Sequence, residues 1–340
     1  MAEVKSELQT PTEKRGNGPL TPTLSPSPAF VRLGRGKEGE RETSAIGGDS
    51  KMPQSQNSAV GPSEGQSAPR KLLVRIHGSA ELPTLVYLPG LHGNWTLIGN
   101  FRKALGGRVR FVEISYPPTL TWTLEEYAAG VESALVENGI VRGWVLAESF
   151  GSQVVWPMLG QKVFQTEGLI LAGGFVQHPM RWAVRLAERV CGELSFSIIT
   201  LILFGYAKLS RWRFRNSPET NSGIQEFIAS LTELDRQAAK HRLRLVAQSD
   251  PCAIARQVGV PLYALTGLFD PVVPWFWVRR WLRKNCPALR EYRIIRHADH
   301  NVLGTGAPAA AEQILTWMAC GQAVTPEAGL PQGPGAGRTF

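Results

Sequence analysis

Short apolar runs punctuate the middle of the chain at Leu72–Ile76, Thr84–Leu88, Val109–Ser115, Trp144–Ala147, Leu169–Ala172, Leu262–Thr266 and Tyr292–Ile295. Each has the length and composition of a strand with both faces buried. Between them the apolar residues spread to helical spacing, at Thr123–Glu137, Ser152–Lys162, Pro274–Lys284 and Pro308–Cys320. Strands alternating with helices predict an α/β fold, a mostly parallel sheet flanked by helices on both faces. The alternation stops between Gly174 and about Asp250, where helical patterning takes over.

The two ends of the chain read differently. Residues 1–70 are crowded with Pro, Gly, Ser, Thr and Gln, as in Gly18-Pro19-Leu20-Thr21-Pro22-Thr23, and lack apolar periodicity. Such a segment buries too little to offset the entropy of ordering, so a disordered leader is expected. The stretch Leu20 to Glu42 also resembles a translated interspersed repeat, which points to Met52 as the true start. Residues 322–340, rich in Gly and Pro, read as a disordered tail. The globular part is then 71–321, within a chain of 340 residues that is 43% hydrophobic and 19% charged, ample for one sizeable core.

Charge and cysteine usage narrow the classes. The formal charge of +9 is concentrated in Arg181–Arg215 and Arg279–Arg296. Neither segment carries a nucleic-acid-binding module or interleaved stacking aromatics, so no nucleic-acid partner is expected. A solvated face is the simpler account, and weak contact with an anionic membrane surface the bolder one. Cys191, Cys252, Cys286 and Cys320 are widely spaced without a CxxC pair, which argues against a zinc site or a disulfide framework and for buried thiols. The N-terminus has no apolar signal core, and the run Leu194–Ala207 is too short and polar at its start to span a bilayer, so a cytoplasmic location is expected.

Chemistry enters at Gly143-Trp144-Val145-Leu146-Ala147-Glu148-Ser149-Phe150-Gly151-Ser152, an apolar strand turning through a serine into a helix. This is the pattern of a nucleophile elbow. The strained turn leaves no room for bulky neighbours, so small residues are needed two before and two after the serine, and Ala147 and Gly151 supply them. The serine would stand exposed at the positive end of the following helix.

Downstream, Val260–Pro274 reads as a strand ending in a loop that carries Asp270, and Arg293–Leu303 as another ending in histidine. Upstream, the Thr84–Leu88 strand runs into Pro89-Gly90-Leu91-His92-Gly93-Asn94. The order glycine-containing loop, Ser149, Asp270, His300 resembles that of the α/β-hydrolase superfamily over residues 71–321. The resemblance implies that fold, with antiparallel early strands and a helical cap inserted at about 175–250. The apolar side of Leu194–Ala207 would roof a pocket, with Trp156, Phe175, Trp275, Phe276 and Trp277 nearby; ordinary core packing accounts for these residues equally well.

The resemblance also assigns roles. Ser149 is the nucleophile, His300 its base and Asp270 the acid that orients the histidine. Asp250 sits before a helix and Asp299 beside the histidine, which leaves Asp270 favoured. His297 pairs with His300 in an H-x-x-H without matching acidic or cysteine partners, and Ala298-Asp299-His300-Asn301 favours His300. His77, His178 and His241 read as structural. Two backbone N–H groups would bind the oxyanion. Phe150 supplies one; the other is Leu91 if Pro89-Gly90 stands for the family's His-Gly pair, or Asn94 if His92-Gly93 does, with Leu91 favoured because the strand ends at Leu88.

The expected function is a serine hydrolase that cleaves small-molecule carboxylic esters with an apolar acyl or alcohol group through an acyl-enzyme, without cofactor or metal. A thioesterase or acyltransferase would use the same triad. A non-catalytic α/β-hydrolase-like binding protein is the alternative from another class, and one for which an intact triad has no use.

Overall fold

The computed structural model describes residues 71–193 and 225–322. All lie in the second of two units, Glu64–Phe340. The expectations for the leader, for the tail past 322 and for the apolar run Leu194–Ala207 lie outside the described residues.

The apolar runs form a seven-stranded sheet in the order β1-β3-β2-β4-β5-β6-β7. The strands are β1 (Leu73–His77), β2 (Thr84–Leu88), β3 (Arg110–Ser115), β4 (Arg142–Glu148), β5 (Gln165–Ala172), β6 (Leu262–Gly267) and β7 (Leu289–Ile295). β1 runs antiparallel to β3, and every other neighbouring pair is parallel. Parallel central strands are covered on both faces and so need continuous apolar stretches. β4 shows it: from Gly143 to Glu148 every residue is buried.

The period of two along β4 separates two cores. Val145 and Ala147 face a layer that includes α2 (Leu124–Glu137) and α3 (Gly151–Gln161). Trp144 and Leu146 face the opposite layer, which includes α1 (Gly99–Leu105) and α9 (Ala307–Gln322). Further helices among the described residues are α4 (Arg181–Glu193), α5 (Glu233–Gln248), α6 (Cys252–Gln257), α7 (Trp275–Asn285) and α8 (Val302–Thr305). α2 and α5 each begin with a capping box, Thr123 with Glu126 and Thr232 with Asp235, which satisfies first-turn N–H groups that have no partner within the helix.

Two expectations need correction. β2 is not antiparallel: the crossover through α1 returns the chain to the same end of the sheet, so β2 lies parallel to both β3 and β4. Helix α1 itself escapes the sequence pattern because it begins at Gly99 without a side-chain cap and is closed by Gly106 at φ 59°. Tertiary contacts hold it instead: Phe101 and Leu105 are buried, and Arg102 forms an ion pair at 2.7 Å with fully buried Glu113 of β3. Nor are all thiols buried; Cys286 is, whereas Cys252 is half-buried and Cys320 exposed.

Trp144 anchors the α1/α9 side. Its ring is 1% exposed, stands 5.8 Å from Tyr263, and packs so closely on Gly168 and Gly321 that a Cβ at either glycine would collide with it. Trp144→Ala should cost about 3–5 kcal/mol, a fall in melting temperature on the order of 10 °C by calorimetry. A shift under about 2 °C would show that this packing is not needed.

Candidate active site

Ser149 follows the last residue of β4 and precedes α3, at φ 46°, a region that side-chain-bearing residues avoid. The strain is held from several sides. The Ser149 N–H donates to the Ala172 carbonyl at 3.0 Å, and the Ser152 hydroxyl donates to the Ser149 carbonyl at 2.6 Å. A Cβ at Gly151 would overlap the Leu88 carbonyl, so α3 can start this close to β2 only with glycine there.

The ends of β6 and β7 bring the other two groups. Asp270 stands in the loop after β6; its Oδ1 accepts from the N–H groups of Val272 (2.9 Å) and Val273 (2.8 Å), which leaves Oδ2 facing His300 Nδ1 at 2.8 Å. His300 Nε2 lies 2.9 Å from Ser149 Oγ. A carboxylate only accepts, so Nδ1 carries the proton and Nε2 is the acceptor for the serine hydroxyl. The His300 loop packs under the end of β6, where a Cβ at Gly267 would overlap the Ala298 and Asp299 carbonyls. Asn301 caps α8 by accepting from the Gly304 N–H at 3.0 Å.

The competing residues are elsewhere. Asp299 points into α8, accepting from the Asn301 N–H and the Thr305 hydroxyl, each at 3.0 Å. Asp250 accepts from the Cys252 N–H at 3.3 Å at the start of α6, and His297 is exposed. His77 pairs with Glu113 and His241 with the Trp122 carbonyl.

The site opens into a cavity of about 270 Å³, lined by Ser149 and His300 and by apolar side chains that include Phe175, Val184 of α4 and Leu243 and Val246 of α5. Leu91, Asn94 and Phe150 all line it. A Cβ on Gly90 would lie 3.5 Å from that of Ser149, so the first residues of the loop pass directly over the serine. Asn94 lies beyond a turn closed by the Gly93 N–H on the Gly90 carbonyl at 3.0 Å. Of the aromatics expected at the pocket only Phe175 lines it. Trp156 is buried beneath, donating to the Phe175 carbonyl, and Trp277 lines a separate groove with Trp182 and Trp281.

Electrostatics distinguish the buried groups. Burial works against a charged His300, but the hydrogen bond and charge of Asp270, aided by Glu148 and Asp299, win and hold its pKa above the usual imidazole value. His92 is exposed and lines the cavity, with its ring 4.2 Å from that of Phe227. Glu148 is pushed up chiefly by burial, against the hydrogen bond donated by the Tyr87 hydroxyl.

Three polar groups around the site, Glu148, His178 and Arg242, are given no part in it by the sequence. Glu148 occupies the variable position of the elbow; an acid closing an otherwise apolar strand was the available signal. His178, taken there as structural, lines the cavity, accepts from the Met180 N–H at 3.2 Å and donates to the Val272 carbonyl at 3.3 Å, tying α4's approach to the acid loop. Arg242, a basic residue on an ordinary-looking helix, carries no sequence signal.

Comparison with solved structures decides the fold. An esterase from Thermogutta terrifontis, solved with malate bound, superposes with a TM-score of 0.58 at 21% identity over 74% of this chain and 93% of that one. An esterase from Exiguobacterium antarcticum gives 0.61 at 14% identity over 73% and 95%. The enol-lactonase from Burkholderia xenovorans LB400 gives 0.60 at 17% identity over 73% and 96%. This chain has the α/β-hydrolase fold. No family model and no curated protein sequence matches it. In this α/β-hydrolase fold the cavity lies at the carboxyl ends of the parallel strands, the end at which open α/β sheets bind their ligands. Among the described residues no helix is long and apolar enough to cross a membrane, and no cluster of His, Cys, Asp or Glu is arranged for a metal ion.

The elbow's tolerance for side chains gives a direct check. Gly151→Ala drives a methyl group into backbone that cannot move aside, and should lower stability by about 2 kcal/mol or more, a melting temperature lower by about 5 °C. Unchanged melting would mean that α3 and β2 are not in such close contact.

Proposed function

We propose that the protein is a serine hydrolase of carboxylic esters with an apolar acyl or alcohol part. The observation that carries this reading is the unbroken hydrogen-bond chain Asp270–His300–Ser149 at the floor of an apolar cavity. Serine is a weak nucleophile at its own pKa and needs a neutral imidazole to take its proton. His300 Nε2 accepts the hydroxyl proton as Ser149 Oγ attacks the ester carbonyl carbon, then passes it to the departing alcohol. Water attacks the acyl-enzyme, His300 again takes a proton, and its return to Ser149 Oγ releases the acid. The N–H groups of Leu91 and Phe150 are proposed as donors to the oxyanion, charge that develops only in the tetrahedral states. No step needs a cofactor or metal. The esterase names of the superposed structures agree with this chemistry.

We read the segment between β5 and β6 as a cap over the site. Its described helices contribute Val184, Leu243 and Val246 to the cavity, an aliphatic wall that suits a hydrocarbon chain.

Ester turnover as a function of pH tests the assignment. Ser149→Ala should lower kcat by about four to six orders of magnitude. Because His300 acts as a base only when neutral, kcat/KM should fall as pH drops through its pKa, with an inflection above the ordinary 6.5. Asp270→Asn should cost about 10⁴ in kcat and move that inflection down, since the cause of the upward shift is gone. An inflection that stays put, or retained turnover in Ser149→Ala, would refute the roles.

Chain-length preference tests the cavity. Leu243→Trp fills the wall with little effect on the floor, so octanoate esters should lose at least about tenfold in kcat/KM while acetate esters stay within about threefold. Equal losses on both would place the acyl chain elsewhere.

A further inference from the structure

Arg242 of α5 is 2% exposed, deep between that helix and the loop after β2. Its guanidinium donates to the Leu91 carbonyl at 2.9 Å, the Pro117 carbonyl at 3.1 Å and the Tyr127 hydroxyl at 3.3 Å. All three acceptors are neutral. The rings of Tyr116, Tyr127 and Phe150 surround the cation at 5.8, 5.9 and 6.0 Å. Gly93 lies flat on it, so that a Cβ there would come within 2.6–2.7 Å of the guanidinium.

Burying a guanidinium is expensive, and an apolar side chain of similar length would satisfy a merely structural role at lower cost. What the arginine adds is control over a turn in which two successive peptide units are fixed. The Gly90 carbonyl is held by the Gly93 N–H at 3.0 Å, and the next carbonyl, that of Leu91, by Arg242 at 2.9 Å. In a trans peptide the N–H points opposite the carbonyl, so fixing the Gly90 carbonyl aims the Leu91 N–H. Arg242 closes this turn from both ends, bonding Leu91 and supporting Gly93.

We propose that Arg242 is a positioning residue for the oxyanion site, clamping the loop after β2 so that the Leu91 N–H is preorganised, with its charge, which meets no carboxylate among the described residues, adding to the field at the oxyanion. The inference rests on the serine-hydrolase reading. Preorganised donors act on charge that develops in the tetrahedral state, so their loss appears in kcat and not in ground-state binding.

The test compares wild type with Arg242→Met and Arg242→Lys on a butyrate ester, and measures inhibition by an alkyl trifluoromethyl ketone, whose hemiketal on Ser149 carries the same oxyanion. Arg242→Met should lower kcat about tenfold to a hundredfold with KM within about threefold, and should raise the inhibition constant in proportion. Arg242→Lys keeps the charge but not the fork, so it should lose less, with kcat and inhibition moving together. If Arg242→Met fails to fold, Arg242→Lys decides: kcat and inhibition both at wild-type values overturn the clamp. A lower melting temperature with kcat per active site and inhibition unchanged also overturns it, leaving Arg242 a packing residue. If wild type neither turns over esters nor binds the ketone, the hydrolase reading itself fails and the clamp falls with it; wild-type activity shared by both variants refutes the clamp alone.

Discussion

The left-handed backbone of Ser149 is the constraint around which the rest of the molecule is arranged. A single residue in this conformation costs on the order of 1–3 kcal/mol and survives only where its surroundings over-determine it. Here β5 accepts its N–H, Ser152 satisfies its carbonyl, and Gly151 lets α3 begin against the Leu88 carbonyl. The reward is geometric. A serine turned out of the sheet at the head of a helix stands where loops from β2, β6 and β7 converge, and those loops bring Gly90, Asp270 and His300 to it.

Around that elbow lies a shell of buried polar groups whose desolvation is offset locally. Glu148 accepts from Tyr87, His178 bridges Met180 and Val272, and Arg242 spans Leu91, Pro117 and Tyr127. His178 and Arg242 are satisfied mostly by loop backbone, at Met180, Val272, Leu91 and Pro117. Buried polar groups are justified when fully bonded, because they then fix one arrangement of chain where apolar packing would accept several. The shell fixes the loops, and the apolar side chains of α4 and α5 are left to line the cavity.

Much of this was legible in the amino-acid order because the elements obey local rules. Central parallel strands must be continuously apolar, so β2 and β6 could be drawn nearly to the residue. The elbow needs small residues at fixed offsets, and Asp270 and His300 follow strands whose ends are marked by Gly267 and by Arg296-His297-Ala298. What escaped depends on distant partners. Helix α1 has weak ends and is held by Glu113 and by burial of Phe101. The direction of β2 follows from that unseen helix. Phe276 and Trp277 share the composition of a pocket wall yet face outward, because spacing does not tell which face of α7 meets the cavity. Arg242 meets Leu91 across 151 positions of sequence, a contact no local pattern encodes.

The central claim, that Ser149 is the group made reactive by His300 and Asp270, is tested most directly by treating the protein with a fluorophosphonate and locating the adduct by peptide mass spectrometry. The account predicts one phosphonyl group per chain, on the peptide containing Ser149, with its formation suppressed in His300→Ala. An adduct on another residue, or equal labelling of Ser149 when His300 is replaced, would contradict it.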